Sequence, residues 1–175
     1  MDYKDPNHQI NAKEQHKFLF FIQSFDQISS RISMDRVTRY CKGPSIQGYL
    51  YTKGEPINSG SINFWNNKIL QDGFNYIAII TLVEADSTIH KNPHLNNETT
   101  PNFFEDYRNN IAPFANNPAH NFGNKLFQIQ TNLYYSETNS LVYTSLSKVY
   151  NPKTNMDAFE KNIQEVLKKM NKAGF

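Results

Sequence analysis

At 175 residues the chain suits one domain around one core. Its mean hydropathy of −0.66 is low, but thirteen Phe and ten Tyr each bury a large area, which excludes disorder of the whole chain. A net charge of +2, with Lys and Arg dispersed, is too mild for a nucleic-acid partner, and a single cysteine, Cys41, excludes an intrachain disulfide and a multi-cysteine metal site.

The opening "MDYKDPNHQINAKEQHK" holds no apolar stretch of the signal-peptide kind. No later run is long enough to span a membrane. Residues 1–17 read as a flexible lead-in or tether, and "DYKD", which matches part of an expression tag, is set aside. Two settings stay open: a cytoplasmic protein, or a mature exported form whose targeting segment has been removed.

Residues 17–25, "KFLFFIQSF", form a dense, aromatic-rich run of strand length. The next segment, "DQISSRISMDRVTRYCKGP", reads as a helix capped by Ser30 or Ser33 and ended by Gly43 and Pro44. Its apolar stripe is Ile32, Val37 and Tyr40 with Cys41, and Cys41 reads as a small half-buried side chain rather than a catalytic thiol. Residues 46–54 have the Tyr and Leu content of a second short strand. In "INFWNNKILQDG", Ile62, Trp65 and Ile69 share one helical face and Gly73 closes the helix, so the one Trp reads as a core anchor. Residues 74–85, "FNYIAIITLVEA", are apolar on both alternating sets, as in a central strand covered on both faces.

From residue 86 to about 123 the chain turns Asn- and Pro-rich and loses its period. A stretch this long inside a compact domain is either functional or disordered. Beyond it, "LFQIQTNLYY" alternates, "SETNS" is a polar turn and "LVYTSLSKVY" runs back, giving an antiparallel hairpin. In the final segment Phe159, Ile163, Val166, Leu167 and Met170 lie on one helical face, behind a Thr154–Asp157 variant of the capping box. Lys168, Lys169 and Lys172 complement the dipole at its end. The order β-α-β-α-β, excursion, β-β, α predicts an α+β domain over residues 18–175. It has two layers, a mixed sheet of about five strands and helices on at least one face.

Candidate chemistry is sparse. His90 and His94 are four residues apart and could share a metal with Glu98 or Asp106, but Pro93 between them opposes the helix such a pair needs. A solvated loop pair is the plainer reading, and no metal or other cofactor is expected. The glutamates and aspartates near the loops (Glu55, Glu84, Asp86, Glu105, Asp106) show no spacing that marks a catalytic pair. No nucleophile signature or phosphate-binding loop occurs. The aromatic part of the excursion, Phe103, Phe104, Tyr107, Arg108 and Phe114, is the best candidate for binding a peptide, glycan or protein partner. The alternative is a flap over an otherwise bare sheet face.

Three stretches carry a resemblance. "DGFNYIAIITLVEAD", the hairpin "IQTNLYYSETNSLVYTSLSKVYNP" and the terminal helix ending "NKAGF" are similar to those of a family of bacterial envelope lipoproteins that share an uncharacterised α/β domain. Tyr143 stands where that family often has Trp and Asn75 where it often has Asp, and no lipidation cysteine precedes the domain in this chain. The resemblance covers about half the chain and brings no catalytic residues. It implies export and an N-terminal lipid tether; taken with the missing catalytic motifs, it leads to the expectation of a non-enzymatic domain in the periplasm or at the outer membrane that binds a protein or glycan of the envelope. The other reading is a metal-dependent hydrolase using the His90–Asp106 loop.

Overall fold

The computed structural model describes residues 2–11, 14–23, 27–84, 102–110, 126–150, 153 and 155–175. A single mixed sheet of six strands carries the domain. In chain order the elements are β1 (Asp2–Lys4), β2 (Phe18–Gln23), α1 (Gln27–Tyr40), β3 (Ser45–Gln47), α2 (Gly48–Tyr51), α3 (Ile62–Gln71), β4 (Tyr76–Glu84), α4 (Phe103–Asn110), β5 (Leu126–Tyr135), β6 (Ser140–Tyr150) and α5 (Asn155–Ala173). Across the sheet the order is β1-β6-β5-β4-β2-β3. β2 is parallel to β3 and β4, and the other pairs are antiparallel.

β2 and β4 dictate this arrangement. Side chains alternate between the faces of a strand, and here both sets are apolar. Phe18, Phe20 and Ile22 with Tyr76, Ala78 and Ile80 face one cluster, which takes Met34 and Val37 from α1 and the whole stripe of α5. Leu19, Phe21, Ile77 and Ile79 face the other, which takes Trp65 and Ile69 from α3 and three aromatics from α4. The mixed α/β fold is as expected, but the sheet has six strands rather than about five, and helices cover both faces where two layers are expected. The link from β2 to β3 passes over the first face through α1. The link from β3 to β4 runs back over the second through α3. Opposite direction on the opposite face gives both crossovers the same hand.

The hairpin, α3 and α5 stand where the periodicity puts them. Leu133 and Ile163 share one cluster, so the terminal helix seals the hairpin. The register shift between Leu133 and Tyr134 skips Val142 of β6, so that Val142 and Tyr143 both face the first cluster, while Tyr134 faces the second, fully buried. Gly73, at φ +70°, ends α3. At the start of α5, Asp157 Oδ2 accepts from the Lys153 backbone N–H at 2.9 Å; Thr154 lies outside the described residues.

Three expectations are corrected. The second strand ends at Gln47, not at 54, because Gly48–Tyr51 winds into a helical turn. A Cβ at Gly48 would come 2.2 Å from the Phe21 ring, so only glycine lets this turn sit on β2. Helix α1 begins before Ser30 and Ser33, which lie buried on its inner face with Ser29, Met34 and Val37. Ile32 and Tyr40, read from the sequence as part of its apolar stripe, are exposed. Small hydroxyl side chains let the helix backbone come close to its neighbours, a device invisible to a pattern based on large apolar residues.

The third correction concerns residues 1–17. Asp2–Lys4 is not a free lead-in but an edge strand, paired with Tyr143–Ser145 of β6. The Lys4 ammonium donates to the Ala173 carbonyl at 2.7 Å, satisfying an orphan acceptor at the end of α5. Farther on, the His8 ring packs 4.9 Å from that of Tyr135, and its Nε2 lies 2.9 Å from the Tyr76 hydroxyl. Edge pairing uses backbone groups that every residue carries, so a polar tripeptide can join a sheet without any side-chain pattern to announce it.

Two outcomes follow from this packing. Leu167→Asp puts a carboxylate into the first cluster with no partner, and a loss of more than ~3 kcal/mol in urea denaturation is expected. Tyr76 gives a pH signature: burial first, then the charges of Tyr135 and Glu14, push its pKa up to about 12. Since the unfolded value is about 10, its contribution to stability is complete below pH 10 and is lost as the pH rises from 10 towards 12. Tyr76→Phe therefore shows a shallower fall in stability over that range than the parent chain, measured by denaturant titration at each pH.

Candidate functional site

Helix α4 gathers most of the expected binding residues. It opens on a capping box: the Asn102 side-chain oxygen accepts from the Glu105 N–H at 3.0 Å, and Glu105 reaches back to the Asn102 N–H at 3.3 Å. Phe103 and Tyr107, one turn apart, face the sheet, with ring centroids 5.8 and 5.1 Å from that of Phe21. Phe103 is wholly buried and meets Tyr134 at 6.0 Å. The described aromatics of the excursion thus cover the second sheet face, while Arg108 is exposed. Phe114, His90, His94 and Glu98 lie outside the described residues.

Asp106, 3% exposed, is the one acidic side chain that α4 buries among its described residues. Its Oδ2 accepts from Asn132 Nδ2 at 2.7 Å and from the Tyr134 hydroxyl. Asn132 Oδ1 in turn accepts from Thr144 at 2.7 Å and from Gln130 at 3.1 Å. Burial, reinforced by Asp106, pushes the Tyr134 pKa well above its ordinary value, so the phenol stays a donor. This network pins α4 to the hairpin. Asp106, considered from the sequence as a metal ligand, instead has its Oδ2 occupied by two donors. Among the described residues no three His, Cys, Asp or Glu side chains converge. Burial likewise raises the Cys41 thiol pKa, the reverse of what activates a nucleophile.

α4 separates two cavities. On one side, between its first turns, α3 and the β5–β6 turn, lies an open groove of about 490 Å³ whose lining includes Phe104 and Arg108. Four carboxamides, Asn63, Asn66, Asn102 and Asn139, line it as well. Asn139 occupies the left-handed region at φ +54°, which Asn tolerates better than most residues. There its carbonyl accepts from the Phe103 N–H at 3.2 Å, and its Nδ2 donates to Asn66 at 2.9 Å. Its side-chain oxygen is buried and accepts no hydrogen bond among the described residues. On the other side of α4, Tyr107 lines a smaller, more apolar cleft beside α1.

The Asn residues of α3 and of the hairpin turn carry no spacing that ties them to α4, so the sequence alone does not assemble this groove. The Asn102–Glu105 capping pair and the one-turn spacing of Phe103 and Tyr107 are, by contrast, signals that mark α4 inside the excursion.

No family model and no curated protein matches the chain. Among solved structures it is similar to the PelC dodecamer from Paraburkholderia phytofirmans, at 6% identity and a TM-score of 0.44 over 95% of this chain and 96% of that one. It is also similar to lipoprotein GNA1162 from Neisseria meningitidis, at 6% identity and a TM-score of 0.41 over 90% and 99%. At these values no residue role is carried across.

Asp106→Ala leaves the Tyr134 hydroxyl and the Asn132 amide without their acceptor in the core. The expected loss is about 1–3 kcal/mol for each orphaned donor. Urea denaturation measures the sum, and an unchanged midpoint would mean that α4 is not held by this network.

Proposed function

We propose that the chain is a non-enzymatic binding domain of the bacterial cell envelope that takes a glycan in the groove beside α4. One observation carries the choice of ligand: four carboxamides line a single open groove together with Arg108 and Glu105. A carboxamide offers both donor and acceptor and so matches the paired hydroxyls of a sugar. A protein partner would need an exposed aromatic or aliphatic anchor at the centre, whereas Phe104 is 8% exposed and Ile62 is half-buried against the second cluster.

The envelope setting rests on the hairpin and terminal-helix resemblance, and with it comes a lipid anchor ahead of Asp2 and residence in the periplasm or at the outer membrane. The non-enzymatic reading rests on the resemblance, which brings no catalytic residues, and on Asp106, whose Oδ2 is taken up in the core by Asn132 and Tyr134.

Titration of the chain with neutral oligosaccharides of bacterial envelope origin tests the ligand. Arg108→Ala and Asn63→Ala are both exposed changes, expected to weaken binding about tenfold each at unchanged thermal midpoint, the loss of about one hydrogen bond. Lack of saturable binding across neutral and charged glycans, or binding indifferent to both changes, ends this reading.

A further inference from the structure

The topology marks a second place, distinct from the groove. β2 has a parallel neighbour on each side. After β2 the chain leaves over the first face through α1, and after β3 over the second through α2 and α3. The two paths part at the carboxyl ends of these adjacent strands. In open α/β sheets ligands bind in crevices outside the carboxyl ends of the strands.

A cavity of about 210 Å³ lies at this point. Its lining is largely apolar, with Phe21 and Ile22 from β2, Met34 from α1, Tyr49 from α2 and Tyr107 from α4. Tyr49 is backed by Gly54, which sits at φ +77°, where an added Cβ would come 3.1 Å from the ring. Arg31, on the first turns of α1, places its guanidinium carbon 3.8 Å from the centre of the Tyr49 ring. It is the one cation in the lining, and among the described residues no carboxylate pairs with it. Glu55 stands exposed at the same rim without reaching it.

We propose that this crevice binds a small organic monoanion with a flat apolar body, its charged group on Arg31 and its body between the aromatic walls. The three parts of that description have separate causes. Aromatic walls select a flat body, since ring faces stack. A guanidinium already oriented over Tyr49 presents its N–H groups as a fork for a carboxylate, and Glu55 at the rim disfavours a second negative charge. The volume falls below the roughly 300 Å³ where drug-sized sites begin, which limits the ligand to about a single ring system. This site is independent of the glycan groove, and either can fail without the other.

Benzoate and its neutral counterpart benzamide are suitable probes, titrated into isotopically labelled full-length chain and followed by amide NMR shifts. Saturable benzoate shifts at Gln23, Arg31, Tyr49 and Thr52 are expected, with binding about tenfold tighter than for benzamide. Arg31→Gln, an exposed change, should erase that preference while leaving the thermal midpoint in place. Three results each overturn the proposal: no saturable benzoate shifts at millimolar concentration, shifts that map elsewhere, or an equal preference for benzoate in the parent chain and in Arg31→Gln.

Discussion

The burial of both faces of β2 and β4 is the constraint on which the rest of this structure depends. Leu19 and Phe20 on β2, and Ile77, Ala78, Ile79 and Ile80 on β4, follow one another with no polar alternation and are all at or near zero exposure. Such strands cannot present either face to water, because every second residue would forfeit its burial. Helices must therefore come to both sides. α1 and α5 meet the first need, and α3 alone is too short for the second, so α4 is drawn from the excursion to complete it.

Recruiting α4 has chemical consequences. A helix laid flat on a sheet must place its whole inner face, and on α4 that face includes Asp106. A buried carboxyl demands donors, and Asn132, Tyr134 and Thr144 form the polar island that answers it. The island also fixes the helix in position, so its outer edge forms a defined boundary to the carboxamide groove while Tyr107 reaches the crevice at the strand ends. The same helix that seals the sheet divides the two cavities.

Legibility in the sequence followed the size of the repeating signal. Phe159, Ile163, Val166, Leu167 and Met170 repeat over several turns, and α5 stands where they put it. β4 reads as a doubly covered strand because its run is long and unbroken. Helix α1 exists as expected but with the wrong side inward in part, since Ser29, Ser30 and Ser33 face the core while Ile28 and Ile32 face outward. Small side chains are chosen there for close approach, which depends on the neighbour rather than on the helix itself. β1 and the short β3 fall below the length at which periodicity speaks at all. α4 could have been found from Asn102 and Glu105, a local signal outweighed by the Asn- and Pro-rich composition around it.

By itself the sequence determined the central strand, the hairpin and the two helices with clean stripes, because hydrophobic periodicity is a property of neighbours along the chain. Only the tertiary structure decided that Asn63, Asn66, Asn102 and Asn139 share a groove, that Asp106 belongs to a core network, and that Arg31 stands over Tyr49 at the mouth of a crevice. Those meetings depend on how crossovers and turns return to the sheet, and the polar residues involved carry no period along the chain that could foretell it.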